Sequence, residues 1–278
     1  MYTTRRTRSR AGGRPLGGGC LRLGLALVVA AMALISYFGS REFNPVIGED
    51  QYVGITTEQE IALGFQAAPE MAAQYGGLSS DQQAQNFLQQ LGEELVQNSF
   101  ASTSEYPYEF SVLADPQTIN AFALPGGPIF ITEGLLNQLE TEDQVAGVLG
   151  HEIGHVLARH AAQRIAQQQL SQGLTGAVVL ATYDPDDPRT MATPQVAALI
   201  AQLVSLRYGR EDELQSDFLG VCILDQAGYD PLEMVRVMEV LAEASGRSGQ
   251  PEFFSTHPNP ENRIERIQQA ASNLESCP

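Results

Sequence analysis

Residues 148–160, VLGHEIGHVLARH, place three histidines and one glutamate inside a strongly apolar stretch. The spacing of the apolar residues predicts a buried helix, and burying an ionisable side chain without a partner costs several kcal/mol. The fold must therefore supply either a bound metal ion or a closed hydrogen-bond network around this helix. That requirement constrains the chain more than any bulk property does.

His151-Glu152-x-x-His155 matches the H-E-x-x-H pattern. At about 100° per residue, His151 and His155 lie one turn apart on the same face of a helix, so both imidazoles can reach one metal ion. Glu152 flanks this face, which suits a general base acting on a water molecule better than a third ligand. The alternative interpretation, a pair of hydrogen-bonded core histidines, gives Glu152 no purpose.

A third protein ligand is expected within RYGREDELQSDFLG, residues 207–220, where three acidic residues are adjacent. Of these three, only Glu213 has a carboxylate one helical turn later, at Asp217. Glu213 would then be the third ligand, and Asp217 would accept a hydrogen bond from a ligand histidine and orient its ring. A solvated acidic helix face is the alternative interpretation of the same residues.

The remaining histidines and the cysteines give weaker signals. His160 is nine residues from His151, hence on the opposite side of a continuous helix, and is predicted to be structural. His257 lies on a loop before the last predicted helix, where a histidine is more often a surface residue. If the body of the protein is exported, Cys222 and Cys277 could form a disulfide, and two unpaired thiols are an equally good interpretation.

The first 40 residues differ from the rest of the chain in charge. They contain six of the 16 arginines and no acidic residue, whereas residues 41–278 carry ten arginines against 33 acidic residues, a formal charge of −23. The basic start and the apolar run at 21–38 predict a signal-anchor within residues 1–40, with a cleaved signal peptide as the alternative. The positive-inside rule predicts that the body lies on the extracytoplasmic, periplasmic side. Its acidity excludes nucleic acid as a partner.

The patterns in the body predict an α+β fold that is predominantly helical, with a small sheet. Residues 41–56 are predicted to be an irregular linker, and residues 57–278 to form one domain. Helices are predicted from a capping box at Thr57 and Glu60 and from an amphipathic stretch at 79–99. Strands are predicted at 108–115 and on both sides of the Pro-Gly-Gly-Pro turn, and a loop at 182–195.

Three segments, GHEIGHVLARH, RxxELQSDFLG and STHPNPENRI, occur in this order and resemble the gluzincin metallopeptidases of the HtpX, BepA, LoiP and Oma type. A fourth segment, NAFALPGGPIFITEGLL, is similar to the segment before the active-site helix of these peptidases. Relatives of the family include the CAAX prenyl endopeptidases. The resemblance implies one zinc ion per chain bound by His151, His155 and Glu213, with Glu152 as general base. It also implies that His257 stabilises the oxyanion or, as in some relatives, closes over the metal.

From this resemblance we expect a zinc endopeptidase domain at 57–278, closest in plan to the periplasmic quality-control members, that acts on unfolded or misassembled envelope proteins. The strand carrying Asn120, Ala121, Phe122 and Ala123 is expected to hold an extended peptide by main-chain pairing, if it is a sheet edge. One alternative is a membrane-tethered chaperone or assembly factor with a structural or gated metal site and little turnover. A zinc hydrolase of cell-wall material is a weaker one.

Overall fold

The computed structural model of this chain describes residues 17–182, 208–248, 251–259 and 262–278. The helices are α1 (Gly17–Gly39), α2 (Thr57–Gln74), α3 (Gln82–Gln97), α4 (Glu133–Leu136), α5 (Glu142–Leu157), α6 (His160–Thr182), α7 (Arg210–Ala227), α8 (Glu233–Ser248), α9 (Phe253–Thr256) and α10 (Arg263–Ser272). The strands are β1 (Arg41–Asn44), β2 (Glu49–Tyr52), β3 (Glu109–Leu113), β4 (Ala121–Ala123) and β5 (Pro128–Thr132). This mostly helical architecture with small sheets confirms the predicted α+β class.

The three-stranded sheet has the order β3-β5-β4, with β3 parallel and β4 antiparallel to the central strand β5. Because successive side chains in a strand point to opposite faces, each strand contributes to two layers. Ile129 and Ile131 pack into the main core together with α3, α5, α7 and α8. Phe122 and Phe130 pack on the other face, in a smaller cluster with α2. The sheet is therefore buried on both faces and provides a rigid floor beside α5.

The first two helices of the domain begin with side-chain caps. Asp81 Oδ1 accepts hydrogen bonds from the backbone of Gln83 and Ala84 at the start of α3, whose amphipathic character is as predicted. For α2 the predicted capping residues are wrong by one position, since Thr56 and Gln59 form the capping box. Thr56 has the extended backbone that an N-cap requires, with φ −76° and ψ 165°.

The helices α5 and α7 cross at unusually close range, and two glycines of α5 permit this. A Cβ at Gly150 would lie 2.6 Å from the side chain of Leu224, and a Cβ at Gly154 would lie 2.8 Å from the carbonyl oxygen of Ser216. Ser216 Oγ also donates a hydrogen bond to the carbonyl oxygen of His151. The close approach places the acidic residues of α7 directly against the histidines of α5.

The prediction of an irregular linker at 41–56 is wrong for most of its length. β1 and β2 form an antiparallel hairpin in which Asn44 faces Glu49. Asn44 Nδ2 donates to the carbonyl oxygen of Leu157, and Gln51 Nε2 donates to that of Ala158. These are carbonyls at the end of α5 that the helix itself leaves unpaired. The hairpin is thus a tertiary cap on α5, a role that its short and mostly polar strands do not reveal in the sequence.

The helix α1 carries the apolar run predicted to be a signal-anchor. Its stretch Leu21–Gly39 is long and apolar enough to cross a membrane, with a mean hydropathy of 2.0, and only 6% of this stretch is buried. The basic residues 1–16 that precede α1 lie outside the described residues, as does the loop predicted at 182–195 after Thr182. Near the other end of the chain, Cys222 and Cys277 form a disulfide, which resolves the alternative that the sequence left open.

Candidate metal centre

Four buried side chains converge where α5, α7 and the end of α9 meet. They are His151, His155, Glu213 and His257, and one ligand atom of each lies within 4.8 Å of the other three. All four are at most 3% exposed. The first three come from the two helices that cross at the glycines of α5, and His257 follows the single turn of α9. The structure therefore brings together all the residues that the sequence nominates as ligands and adds His257 to them.

The distances between the ligand atoms are close to those of a tetrahedral metal site. The Nε2 atoms of His151 and His155 are 3.0 Å apart, and each lies 3.5 Å from a carboxylate oxygen of Glu213. His257 Nδ1 is 3.1 Å from Glu213 Oε1 and 3.4 Å from His151 Nε2. Around a tetrahedral zinc ion with bonds of about 2.0–2.1 Å, neighbouring ligand atoms are about 3.3 Å apart. In this arrangement His257 stands at the fourth position.

Several polar atoms of the cluster have no hydrogen-bond partner among the described residues. They are both carboxylate oxygens of Glu152, Oε2 of Glu213 and Nε2 of His257. Buried polar atoms of this kind are rare in folded proteins and are typical of a site that binds an ion or a water molecule. A cation among the ligand atoms would pair with Glu213 Oε2, which Arg263 Nη1 approaches to 3.1 Å without forming a hydrogen bond. Glu152 does not belong to the ligand group, and its Oε1 lies 3.6 Å from His257 Nε2.

The charges of the site favour a cation. Burial lowers the pKa of His151, but hydrogen bonds with Asp217 and Glu213 outweigh burial and raise that pKa to about 9. Burial raises the pKa of Glu213, yet the neighbouring His257 and His151 outweigh it and hold the pKa below its usual range. For Glu152, burial dominates and raises the pKa. Burial and the neighbouring His151 lower the pKa of His155. The site thus holds an ionised Glu213 beside a neutral His155, and a metal ion would balance that carboxylate.

Asp217 holds His151 as the sequence predicts, and Arg263 holds Asp217. Asp217 Oδ1 is 2.8 Å from His151 Nδ1, which turns Nε2 towards the other ligand atoms. Arg263 of α10 donates to both oxygens of Asp217, at 2.7 and 2.9 Å, and its Nη1 lies 3.1 Å from Glu213 Oε2. Sequence reasoning gave Arg263 no role. Its only signal was its place six residues after His257, in the third of the family-like segments.

The prediction that His160 lies on the far side of the helix is wrong. The helix does not continue, because α5 ends at Leu157 and Arg159 adopts the left-handed conformation, with φ 54°. The turn brings His160 Nδ1 to 2.8 Å from His155 Nδ1, while His160 Nε2 lies 2.9 Å from Gln215 Oε1. His160 is not one of the four ligand residues, but it fixes the ring of one of them.

β4 presents one edge to the metal centre. Leu124 N donates to the carbonyl oxygen of Pro128 in β5. Since backbone groups alternate in direction along an antiparallel ladder, Ala121 and Ala123 direct theirs away from β5. The amide of Ala123 is close enough to Glu152 to affect its pKa, and no strand in the described ranges pairs with this edge. The four residues predicted to bind substrate, 120–123, are therefore on a sheet edge, where all four are buried.

The segment 251–257, called the α9 segment below, covers this edge. Phe253 N donates to the carbonyl oxygen of Ile119, which lies two residues before Ala121 and faces the same way. At the start of the segment, the hydroxyl of Tyr75 donates to Glu252 Oε1 at 2.6 Å. The segment ends at His257. The structure therefore shows a closed site, in which one segment both lies against this sheet edge and supplies the fourth potential ligand.

Comparison with known proteins identifies relatives with this chemistry. Residues 82–271 match the model of peptidase family M48. The mitochondrial metalloendopeptidase OMA1 of Schizosaccharomyces pombe is 28% identical over 84% of this chain and 68% of its own length. The beta-barrel assembly-enhancing proteases of Yersinia pestis and Escherichia coli are 31% and 30% identical over 86% and 90% of this chain. The chain spans about half the length of these two bacterial relatives, at 49% and 52%.

Proposed function

Because this chain belongs to peptidase family M48, we propose that it is a zinc-dependent, membrane-anchored endopeptidase that hydrolyses peptide bonds in unfolded or misassembled envelope proteins. Family membership and the metalloendopeptidase relatives support peptide-bond hydrolysis with a metal cofactor and polypeptide substrates. Zinc as the metal, the folding state and origin of the substrates, and the side of the membrane are the parts that we add.

The observation that carries the proposal is the mutual spacing of the four ligand atoms, together with Glu152 beside them. Two imidazoles and one carboxylate form the donor set that is typical of catalytic zinc sites. The same set would accept cobalt or manganese in vitro. When bound, zinc would polarise the scissile carbonyl and lower the pKa of a water molecule towards about 7. We expect one zinc ion per chain.

Glu152 is the proposed general base. It would take a proton from the attacking water and pass it to the leaving amine, a task that favours a carboxylate whose pKa burial has raised above its ordinary value. Asp217 and His160 would position the two ligand histidines by binding their Nδ1 atoms, so that both Nε2 atoms face inward. These contacts exist before any substrate binds, which is what preorganised catalysis requires.

We assign His257 two successive roles. In the closed structure its Nδ1 stands where the fourth ligand of a tetrahedral ion would be, and the catalytic reaction needs that position open. When the α9 segment moves away, His257 would leave the ligand group and its ring would become a donor to the developing oxyanion. Such a donor typically contributes about 3 kcal/mol to transition-state stabilisation. His257 would thus act first as a gate and then as a catalytic group.

The proposed substrate is an extended polypeptide that pairs with the free-facing backbone groups of Ala121 and Ala123. Binding to a strand edge through main-chain hydrogen bonds depends little on side chains, but it requires a segment without its own secondary structure. Unfolded or misassembled proteins expose such segments. The α9 segment occupies the same edge through Phe253, so substrate binding and opening of the site would be coupled.

We propose that the signal-anchor within residues 1–40 holds the acidic body on the periplasmic side. The exposed apolar surface of α1 supports membrane association, and the excess of arginines before it supports the orientation. A cleaved anchor would leave the body secreted into the periplasm. We place the peptidase domain at 57–278, with the hairpin of residues 41–52 attached to it.

The second candidate function is a membrane-tethered chaperone or assembly factor with little turnover. The closed site supports this function too, because four buried ligand residues can form a structural metal site as readily as a gated catalytic one. The two candidates differ in what Glu152 does. A structural site has no use for a buried, unpaired carboxylate beside the metal, so we favour the peptidase.

Casein cleavage by the full chain and by its Glu152→Gln variant tests the proposal, with bound zinc measured in parallel. We expect the wild type to cleave, and the variant to bind as much zinc and remain inert. If both bind zinc and neither cleaves, even after Tyr75→Phe loosens the α9 segment, the chaperone is the better account. If the variant cleaves like the wild type, Glu152 is not the base.

A further inference from the structure

The helix α6, which follows the metal-binding helix, packs along α1. Of the described elements, these two make the most extensive contact. They are antiparallel, because Ala33 within α1 contacts Gly173, whereas Gly54, beyond the end of α1, contacts Ala166 earlier in α6. The contact is closest between small residues: a Cβ at Gly173 would lie 2.6 Å from the Cβ of Ala33. The apolar helix α1 is therefore packed against α6, the helix that directly follows the metal-binding helix α5.

The level of the membrane surface along this pair is marked by aromatic rings. Tyr37 stacks on Tyr52 with ring centroids 4.8 Å apart, and Phe38 packs edge-on against Tyr52. Tyrosines and aromatic clusters of this kind favour the boundary between lipid and water. Because Gly173 lies against Ala33 in the antiparallel pair, Gln169, four residues before Gly173, lies at the level of Tyr37, four residues after Ala33. Tyr37 and Gln169 also line the same cavity of about 310 Å³. The polar glutamines of α6 are thus at the height of the lipid headgroups.

Beyond that level α6 changes character. From residue 165 to its end at Thr182 it has no charged residue, and the last ten residues, GLTGAVVLAT, contain only two threonines as polar side chains. Thirteen residues separate Gln169 from Thr182, about 20 Å of helix. The hydrocarbon core of a bilayer is about 30 Å thick. This half of α6 is too short to span a membrane alone, but it runs beside α1 at depths that lipid would occupy.

The exposed surface of the pair is apolar on both helices. On α1, Leu27 is 63% exposed, Met32 65% and Ile35 71%. On α6, Ala177 is buried but Val178 is 56% exposed. An apolar surface that continues from one helix to the next fits a lipid environment and would be unfavourable in water.

We propose that Gly173–Thr182 of α6 inserts into the bilayer beside α1, so that the membrane contacts the catalytic domain through two helices. This inference rests on membrane anchoring by α1, which is part of the proposed function. Its consequence is positional: nine residues separate His160, which touches the ligand His155, from Gln169 at the membrane surface. At 1.5 Å per residue, the metal centre then lies roughly 14 Å above the lipid. The enzyme would therefore cleave polypeptide segments that are held close to the membrane.

The chain contains no tryptophan, so single substitutions to tryptophan can report lipid contact without a background signal. We would compare Val178→Trp on α6 with Leu27→Trp on α1 and with Gln167→Trp, an exposed position on α6 just above the proposed surface. Each full-length variant is reconstituted into phosphatidylcholine vesicles with brominated acyl chains, which quench tryptophan on contact. Acrylamide in the aqueous phase provides the opposite measurement on the same samples.

We expect the lipid to quench tryptophan at positions 27 and 178 but not at 167, and acrylamide to quench it at 167 only. Quenching by lipid at 27 but not at 178 overturns the inference and leaves the anchor intact. Equal quenching at 167 and 178 also overturns it, because α6 would then lie flat on the surface. If no position is quenched by lipid, the anchor itself is wrong, and the proposed membrane attachment fails with it.

Discussion

Replacing Asn44 by alanine should destabilise the catalytic domain, although Asn44 lies in the segment that the sequence presents as a linker. The Asn44 side chain takes part in three hydrogen bonds, each 2.9 Å long: to Leu157 O, to Gln51 Oε1 and from Val46 N. Asn44 is 6% exposed, so water cannot readily replace these bonds. At about 1 kcal/mol for each bond, the loss amounts to about 3 kcal/mol.

The assay is thermal unfolding of the full-length protein followed by circular dichroism. For a protein of this size, 1 kcal/mol corresponds to about 2–4 °C in Tm, so Asn44→Ala should lower Tm by about 6–12 °C. Glu49→Ala is the matched control, because Glu49 faces Asn44 across the hairpin and is exposed. An exposed substitution of this kind is expected to change stability by less than about 0.5 kcal/mol.

Removing the hairpin gives a second test of the same reasoning. Deletion of residues 1–40 should leave a folded domain, whereas deletion of residues 1–56 should lower Tm by at least as much as Asn44→Ala does. If Asn44→Ala and Glu49→Ala have the same small effect, the hairpin does not support the end of α5. The description of residues 41–56 as a linker would then be correct after all.

Three further predictions follow from single contacts. His160→Ala should lower zinc affinity about 10- to 100-fold, because His155 loses the partner that orients it; competition with a chelator measures this, and unchanged affinity contradicts it. Tyr75→Phe removes one hydrogen bond, worth about 1 kcal/mol, that holds the α9 segment, so casein cleavage should accelerate by up to about fivefold; a slower or unchanged rate argues against a cover. Hydrogen bonds from the Thr118 hydroxyl and amide lower the pKa of Asp115 below its ordinary 3.8. The stability that these bonds give the folded protein is present above pH 3.8 and is lost as the pH falls through the lowered pKa. In urea unfolding, Asp115→Asn should therefore be less stable than wild type at pH 7, and the difference should shrink at pH 3.

The parts of the site that are local in sequence could be predicted from it. His151 and His155 share one helix, and their separation of four residues fixes their relation whatever the rest of the chain does. Glu213 could be selected from its acidic neighbours because only it has Asp217 one turn later. The choice of the two histidines and the choice of Glu213 depend on helical periodicity alone. The structure brings His151, His155 and Glu213 together and places Asp217 beside His151.

The parts that depend on tertiary contacts could not be predicted. The helix break before His160 needs a left-handed Arg159, a conformation for which the sequence contains no glycine or asparagine as a signal. That conformation is held by long-range contacts: the guanidinium of Arg159 binds Glu60 and Glu42. Arg263 reaches Asp217 from another helix, and no spacing rule relates the two positions. The disulfide between Cys222 and Cys277 could not be predicted either, because the spacing of two cysteines in the sequence does not show whether they are close in the fold.

The measurement that tests the central claim most directly is the metal content of the full-length protein purified without added metal. The account predicts about one zinc ion per chain in the wild type and in Glu152→Gln, and loss of most of that zinc in His155→Ala. Two results would contradict the account. One is wild-type protein that is purified without zinc and also binds none when zinc is supplied, and the other is a His155→Ala variant that retains its zinc fully. The four convergent side chains of α5, α7 and the α9 segment would then be a hydrogen-bonded core and not a metal centre.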